Sequence, residues 1–314
     1  MRLEQSFPKE PIALTPAMAE VLRRADAFAP AATPTILYGE SGTGKTFLAE
    51  YIHRLSGRSG GFHAFSVGTI APQLAPDELF GHVPGAFTDA RRVRTGLLAS
   101  AGGGTLLLDD IQTLDLGVQK QLLQVLDRET YRPVGSDRVL SVACRIIFAM
   151  TEEPDSLMEQ GLLLKDLRYR FGACAIRIPP LRERREEIPL LAQRALERCP
   201  EVTMVDGPAR FSDAALNVLC EGEYKGNVRQ LEGVIVAAYL MARLGRTGGI
   251  DAEHLPDEIG PPLRYQRRGD PVANRIVVER ALSRTGGNVK RAAKLLGLSR
   301  NAVHAVLSMR AATG

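Results

Sequence analysis

Eight consecutive residues near the start of the chain have the types and spacing that cradle a phosphate chain. The segment Gly39-Glu40-Ser41-Gly42-Thr43-Gly44-Lys45-Thr46 fits G-x-x-x-x-G-K-[ST] at every position, between a strand-like run and a helical pattern. Its glycines let backbone N–H groups close around phosphate oxygens, and the N-terminus of the following helix adds partial positive charge. Lys45 would reach the β- and γ-phosphates, and Thr46 would offer its hydroxyl to Mg²⁺. All eight residues are therefore predicted to bind a nucleotide.

An acidic pair follows a second apolar run further along the chain. Gly102–Leu108 reads GGGTLLL and is followed by Asp109 and Asp110. A buried strand beside the first one would bring both carboxylates to the phosphates. Asp109 would hold the metal through water, and Asp110 would orient or deprotonate the attacking water. The alternative is that the two aspartates only cap a helical turn that begins at Ile111.

Strand and helix patterns alternate around these segments. Strands are predicted at Thr35–Tyr38, Gly104–Leu108 and Arg145–Ala149, and helices at Pro16–Phe28, Thr46–Leu55 and Leu116–Arg128. This alternation is typical of a parallel sheet covered by helices. Beyond Glu186 the strand signal fades, and helical periodicity predicts a helical subdomain. Its helices are predicted at Ile188–Cys199, Asp213–Cys220 and Val228–Leu244.

Length and composition exclude several classes of protein. The chain has 314 residues, of which 45% are hydrophobic and 24% charged, as in an ordinary globular protein. No apolar run approaches the roughly 18 residues of a membrane span, and the N-terminus has no apolar signal region. Cys144, Cys174, Cys199 and Cys220 lie far apart, which predicts buried free thiols rather than a zinc site or disulfides. These features favour a cytoplasmic protein without a membrane partner.

The charge is distributed unevenly along the chain. Residues 262–314 carry eleven Lys and Arg against two acidic residues, a net charge of +9, whereas residues 1–261 carry −5. Such asymmetry predicts a polyanion-binding module at the C-terminus. A solvated basic tail is the alternative that charge alone leaves open.

The basic segment also has the spacing of a helix-turn-helix. Helices are predicted at Val272–Arg284, Val289–Leu296 and Arg300–Met309. Asn288 and Ser299 would cap the second and third helices, and Gly297 would end the second. Two short helices joined by Gly-Leu-Ser match the helix-turn-helix pattern. A small bundle that serves only dimerisation is the alternative, and the basic excess disfavours it.

Several longer motifs carry a resemblance to a known family. ELFGHVPGAFTDA (Glu78–Ala90) is similar to a surface loop ending in GAFTGA, and GGGTLLLDDI to a Walker B strand. YRPVGSDR (Tyr131–Arg138) is similar to a second pore-side loop, and DLRYRFG (Asp166–Gly172) to an arginine-finger segment. Two further segments, Ile178–Ala192 and Gly226–Ile235, are similar to a sensor II region. GGNVKRAAKLLGLSRNAVHAVL is similar to a Fis-type DNA-binding domain. Together the motifs resemble the bacterial sigma-54 enhancer-binding proteins, a branch of the AAA+ ATPases.

The resemblance implies an AAA+ α/β fold, a P-loop parallel sheet with a helical lid, followed by a small all-α helix-turn-helix domain. The predicted divisions are a short N-terminal segment (1–34), an α/β ATP-binding subdomain (35–176), a helical lid (177–260), a linker (261–270) and a Fis-type domain (271–314). Because so short a segment precedes the first strand, we expect control by a regulatory partner protein in trans, by expression level or by a ligand.

Specific roles follow from the resemblance. Members form homo-oligomers, from dimers to hexameric rings, with ATP and Mg²⁺ bound between neighbours, and hydrolysis drives remodelling of sigma-54 RNA polymerase. By position, Phe87 and Thr88 would contact sigma-54. Arg229 would touch the γ-phosphate as the sensor II residue, and Arg170 would be an arginine finger for a neighbour's nucleotide. Thr151 would stand at the sensor I position.

The same resemblance assigns the DNA contacts. The third helix of the Fis-like module would enter the major groove of double-stranded DNA, at an enhancer or operator. Residues at its start would lie near base edges, namely Ser299, Arg300, Asn301 and His304. Residues of the preceding helix would face phosphates, namely Lys290, Arg291 and Lys294.

Several positions differ from the family pattern, and most of them lie at the reaction site. They are Asp110 in place of Glu, Ser66 in place of the Asn that switches this Glu, Met150–Thr151 in place of a Thr-Asn pair, Leu164 beside Lys165 in place of an arginine finger, and Asp89 in place of Gly in GAFTGA. Asp is one methylene shorter than Glu, and a misplacement of about 1 Å can cost about 100-fold in rate.

The leading prediction is ATP-dependent activation of sigma-54 promoters by a DNA-bound transcription regulator. The alternative is a sigma-54-independent regulator or co-regulator that binds DNA and ATP with weak or absent hydrolysis, acting in mixed complexes with a competent homologue. Both stay open at the level of sequence, because the phosphate cradle is complete while the catalytic positions of this AAA+ ATPase are altered.

Overall fold

A five-stranded parallel sheet organises the first of the two units into which the chain divides, residues 1–180 and 181–314. The computed structural model describes residues 10–88, 90–171, 174–199, 210–245, 249–256, 259, 277–279, 281–282 and 285–308. Across these ranges, no helix combines the length and the apolar character needed to cross a membrane.

The first unit alternates strands and helices. Its strands are β1 (Thr35–Tyr38), β2 (Phe62–Ser66), β3 (Gly81–His82), β4 (Arg94–Thr95), β5 (Thr105–Asp109), β6 (Thr130–Tyr131), β7 (Leu140–Ser141), β8 (Arg145–Met150) and β9 (Ala175–Arg177). Its helices are α1 (Pro16–Phe28), α2 (Lys45–Leu55), α3 (Ala75–Phe80), α4 (Leu97–Ser100), α5 (Leu116–Arg128), α6 (Pro154–Glu159) and α7 (Lys165–Arg170). The main sheet has the order β2-β5-β8-β1-β9 with parallel pairing throughout, whereas β3–β4 and β6–β7 are antiparallel pairs.

The central strands are covered on both faces of the sheet. Along β5, Leu106 and Leu108 enter the core that contains α5 and α7. Leu107 enters the opposite core, which contains α1 and α2. Every residue of β8 is buried. Alternate side chains of a strand point to opposite faces, so a strand buried on both sides requires the continuous apolar runs seen here.

The elements predicted around the phosphate-binding segment are confirmed to within one residue at each end. The sequence did not predict β2 and β9, which form the two edges of the sheet. The residues of β2 are exposed or only half-buried, and β9 has three residues. Neither strand therefore carries the strong apolar signal of the buried central strands.

The cysteines are free thiols. Cys144 and Cys199 are buried as predicted, whereas Cys174 and Cys220 are only partly buried, so that expectation is wrong for the second pair. Burial raises the pKa of the Cys144 thiol to about 11, which keeps it protonated and unreactive at neutral pH. The described residues contain no group of three or more His, Cys, Asp or Glu side chains arranged to hold a metal ion.

The second unit is helical in its described parts. Its helices are α8 (Ile188–Arg198), α9 (Asp213–Glu221), α10 (Asn227–Leu244), α11 (Val289–Leu296) and α12 (Arg300–Ser308). Helices α8, α9 and α10 share one core, and α11 and α12 share a smaller one with Val278. Of the helix predicted at 272–284, residues 277–279 and 281–282 are helical, and the rest lie outside the described residues.

A buried arginine anchors α1 to the sheet. Arg145, at the start of β8, is 1% exposed. Its Nη2 donates to the carbonyl of Phe28 (2.7 Å) and to Thr35 Oγ1 (3.0 Å), and its Nη1 donates to the carbonyl of Ala29. These carbonyls end α1, so the guanidinium satisfies acceptors that the helix leaves open. Burial lowers the pKa of Arg145 to about 10, and the group stays charged at neutral pH.

We expect Arg145→Ala to lower the free energy of unfolding by about 2–4 kcal/mol, because the change removes two buried hydrogen bonds and one partly buried one and leaves carbonyls unpaired. Lys120→Ala, on an exposed position of α5, is the matched control and should stay within about 0.5 kcal/mol of wild type. Urea unfolding followed by circular dichroism measures both. Equal stability of the two variants would show that Arg145 does not anchor α1.

Candidate functional site

The phosphate-binding segment is a tight loop between β1 and α2. Gly39, Gly42 and Gly44 have φ angles of 150°, 76° and 103°, which side chains rarely tolerate. A Cβ on Gly39 would also lie 2.5 Å from the carbonyl oxygen of Ile178. Lys45 is buried, and its Nζ donates to the carbonyl of Gly39 at 2.8 Å. The loop therefore has the left-handed turns and the helix N-terminus of a phosphate cradle.

Three neighbouring strands end at the same edge of the sheet. Tyr38 at the end of β1 pairs with Met150 at the end of β8, and the N–H of Gly39 donates to the carbonyl of Met150 at 3.3 Å. β5 pairs with β8 in parallel and ends at Asp109. This register brings the phosphate loop, the acidic pair and Thr151 to one edge of the sheet. The prediction that the strand before the acidic pair lies directly beside β1 is wrong, because β8 lies between β1 and β5.

Asp110 has the left-handed backbone conformation, with φ 62° and ψ 39°. It precedes a short helical turn, but its side chain makes no capping hydrogen bond, so the capping alternative is wrong for this carboxylate. Its Oδ2 instead accepts from Ser66 Oγ at 3.4 Å, and its Oδ1 accepts from Gln112 Nε2 at 3.3 Å. Gln112 Nε2 also donates to Thr151 Oγ1 at 3.2 Å. Sequence reasoning singled out Asp110, Ser66 and Thr151 but missed Gln112.

The two predicted arginines lie in different units. Arg170 ends α7, where its Nη2 donates to the carbonyl of Leu126 (2.7 Å) and its Nε pairs with Asp127 Oδ1 (3.0 Å). Its side chain is 46% exposed, so it reaches the surface while bound to α5 of its own chain. Arg229 is exposed on the first turn of α10 in the second unit.

The GAFT segment is the tip of a loop that joins β3 to β4. The N–H of Gly85 donates to the carbonyl of Ala90 (2.8 Å), and the N–H of Ala90 donates to the carbonyl of Phe87 (2.9 Å). Phe87 is 45% exposed, and Thr88 is also exposed. Both predicted contact residues are therefore accessible at the tip, and Asp89 lies outside the described residues.

A carboxylate below the tip joins both strands of this loop. Asp77 on α3 accepts from His82 Nδ1 of β3 at 2.5 Å and from Arg94 Nη1 of β4 at 3.0 Å. Asp77 and His82 are buried. The rings of His82 and Phe87 pack in a T-shaped arrangement, with their centroids 4.9 Å apart. Asp77 therefore sets the position of the aromatic side chain at the tip through His82, and sequence reasoning missed this contact.

The second predicted loop packs against the first. The N–H of Val83 donates to the carbonyl of Val134 (3.2 Å), and the N–H of Val134 donates to the carbonyl of Gly81 (2.8 Å). A Cβ on Gly135 would lie 2.6 Å from Ala86 Cβ, so glycine is required for this approach. The two loops therefore form one hydrogen-bonded surface.

The helix-turn-helix pair has the predicted caps. Asn288 Oδ1 accepts from the N–H of Arg291 (3.1 Å), and Ser299 Oγ accepts from the N–H of Ala302 (3.2 Å). Gly297 ends α11 with φ 64°. All seven predicted DNA-binding residues are exposed. On α11, Lys294 lies four residues after Lys290 and three after Arg291, so it neighbours both on the helix surface. Ser299, Arg300 and Asn301 are consecutive at the start of α12, and His304 lies three residues after Asn301.

The first unit thus has the fold and loop of a P-loop nucleotide-binding protein, and the second carries a helical lid and a DNA-binding module. Residues 12–177 match the Sigma-54 interaction domain, residues 182–269 the AAA+ ATPase lid domain, and residues 273–305 the bacterial regulatory protein, Fis family. The chain belongs to the family of sigma-54-dependent transcriptional regulators.

Individual relatives agree with this assignment. Transcriptional regulatory protein ZraR of Escherichia coli (strain K12) is 35% identical over 303 residues, which cover 94% of this chain and 67% of ZraR. GlrR of the same strain is 35% identical over 98% of this chain and 70% of its own length. The crystal structure of NtrX from Brucella abortus in complex with ADP superimposes with a TM-score of 0.73 at 27% identity, over 95% of this chain and 69% of that one.

We expect Asp77→Asn to free the aromatic side chain at the loop tip, because the amide loses the charge-assisted bonds to His82 and Arg94. The chain has no Trp, so Phe87→Trp supplies a single fluorescent reporter. In that background, Asp77→Asn should shift emission to longer wavelength, raise acrylamide quenching and cost about 1–3 kcal/mol of stability.

Asp155→Asn is the matched control. Asp155 lies in α6, away from the GAFT loop, and it also pairs with an arginine, Arg168. It should leave the Trp emission unchanged. If Asp77→Asn and Asp155→Asn give the same emission and quenching, the carboxylate of Asp77 does not position residue 87.

Proposed function

We propose that the chain is an ATP-driven activator that binds DNA through α11 and α12 and engages sigma-54 polymerase through the GAFT loop. The observation that carries the proposal is the pairing, within one unit, of a complete phosphate loop with an exposed GAFT tip braced by a second loop. Promoter DNA and polymerase are in the cytoplasm, so the proposal places the protein there.

The site suits ATP with Mg²⁺. The glycine turns and the buried Lys45 form a phosphate cradle, and a Cβ on Gly39 would clash with the carbonyl oxygen of Ile178. Thr46 is exposed at the start of α2, and Asp109 ends β5, which β8 separates from β1. We assign the metal to these two side chains, where it would neutralise phosphate charge. The complexes of NtrX with ADP and with ATP support nucleotide binding here.

Asp110 is the residue assigned to the attacking water. Its carboxylate accepts from Ser66 and Gln112, so it is oriented and keeps lone pairs for a water proton. Thr151 lies beside it through Gln112 and takes the sensor I position.

A short path connects this site to the GAFT loop. Ser66 contacts Asp110 at the end of β2, and a Cβ on Gly68 would lie 3.6 Å from Asp110 Cβ. The chain then passes through two short helical turns into α3, which carries Asp77. We propose that loss of the γ-phosphate moves Ser66. This movement would pass through α3 to Asp77 and His82, which position Phe87.

Oligomerisation completes the proposed site. Arg170 is exposed enough to reach a neighbouring subunit's nucleotide in a homo-oligomer, after release of Asp127. Arg229 keeps the sensor II role that the family resemblance gives it. Control by a regulatory partner in trans is part of the same proposal.

A second candidate function is a DNA-binding co-regulator with weak ATP hydrolysis in mixed complexes. Two observations favour it. Asp110 receives only a long contact from Ser66 (3.4 Å). Leu164 is an apolar residue at the position to which the family resemblance assigns an arginine finger. The experiments below separate the two candidates.

The DNA assignment predicts different defects for two basic residues. With an operator selected by the full chain from random duplexes, Arg300→Ala should weaken specific binding by about 10- to 100-fold and leave random-duplex binding nearly unchanged. Lys294→Ala should weaken both alike and lower the salt slope by about one. Fluorescence anisotropy at several salt concentrations measures both variants. Identical profiles for the two variants would contradict the assignment of Arg300 to base edges.

Capture of sigma-54 tests the proposed function. The full chain with Mg²⁺, ADP and aluminium fluoride should retain purified sigma-54 on gel filtration, and Thr88→Ala should abolish retention. Thr33→Ala, at an exposed threonine before β1, should retain it. If wild type binds the analogue and DNA but never sigma-54, the co-regulator function is the correct one.

A further inference from the structure

Gln112 sits between the two groups assigned to hydrolysis. It lies in the helical turn Ile111–Thr113, two residues after Asp110. Its Nε2 donates to Asp110 Oδ1 (3.3 Å) and to Thr151 Oγ1 (3.2 Å). The carboxylate of Asp110 can only accept, so the amide nitrogen must face it and the amide orientation is fixed.

The other end of this amide is a buried acceptor. Gln112 Oε1 is buried and has no hydrogen-bond partner among the described residues. Most buried polar atoms are paired, because an unpaired acceptor loses its hydration without compensation. The amide is planar and Oε1 shares its carbon with Nε2, so this acceptor lies next to the groups that Nε2 binds.

We propose that Gln112 is a further catalytic residue for ATP hydrolysis, whose Oε1 accepts a hydrogen bond from the attacking water while Nε2 holds Asp110 and Thr151 together. In the reaction, the water oxygen bonds to the γ-phosphorus and the bond from that phosphorus to the β,γ-bridging oxygen breaks. The water proton passes to Asp110, and ADP and phosphate leave. The inference rests on the proposed function.

The side chain of Asp110 is one methylene shorter than that of a glutamate, and the amide of Gln112 compensates for this shorter reach toward the water. An aspartate holds a water less far from the backbone than a glutamate does, and a neighbouring amide acceptor supplies a second fixed contact to that water. Contacts of 3.2–3.3 Å are long for these groups. Catalytic hydrogen bonds are often long before substrate binds and shorten in the reacting complex.

The test compares Gln112→Ala with Gln124→Ala, a control at an exposed glutamine of α5. Fluorescent-nucleotide titrations measure affinity for ADP, ATP and ADP with aluminium fluoride, all with Mg²⁺. Gln112→Ala should lose about 10- to 100-fold in affinity for the aluminium fluoride complex and in kcat, with unchanged affinity for ADP and ATP. Gln124→Ala should match wild type in every measurement.

Combining Gln112→Ala with Thr151→Val tests the bridge. Both changes break the same contact between Gln112 and Thr151. The fold-loss of kcat in the double variant should therefore be smaller than the product of the fold-losses in the two single variants. Unchanged affinity of Gln112→Ala for the aluminium fluoride complex would overturn the inference, and so would an equal loss of ADP affinity with a lowered Tm. Wild-type protein that binds ADP with aluminium fluoride but hydrolyses no ATP would instead contradict the proposed function. In that case the affinities of wild type and Gln112→Ala for the aluminium fluoride complex still decide the role of Gln112.

Discussion

The shared register of β5, β8 and β1 is the constraint on which the rest of the site depends. β5 pairs with β8, and β8 pairs with β1, all in parallel. The phosphate loop, the acidic pair and Thr151 therefore lie together at the carboxyl ends of these strands. A one-residue slip of β5 would turn Leu108 out of its core and bury the carboxylate of Asp109. Burial of both sheet faces therefore fixes the chemistry at the edge as well as the fold.

Two carboxylates then couple separate elements to that edge. Asp110 links the turn after β5 to the end of β2, and Asp77 links α3 to both strands of the GAFT loop. The segment between Ser66 and Asp77 connects them. In the proposed function, this segment carries a change at the nucleotide to the loop tip.

The sequence predicted the parts of the molecule whose signal is local. The phosphate loop is a contiguous motif, the central strands are continuous apolar runs, and caps such as Asn288 lie beside the helices they begin. Contacts between distant segments were not predictable in this way. Gln112 meets Thr151 only because β5 and β8 are neighbours. Arg94 meets Asp77 only because β4 pairs with β3, which follows α3. The edge strands β2 and β9 were missed because their short segments lack a buried periodic pattern.

The central claim is that the edge formed by Asp109, Asp110 and Thr151 is a working hydrolysis site. Steady-state ATP turnover of the full chain, measured over a range of protein concentrations for wild type and Asp110→Asn, tests it most directly. The account predicts wild-type turnover that rises more steeply than protein concentration, because neighbours complete the site, and a loss of about 100-fold or more in Asp110→Asn at unchanged ADP affinity. Turnover that survives in Asp110→Asn, or wild-type protein that binds ATP without hydrolysing it at any concentration, would contradict the account.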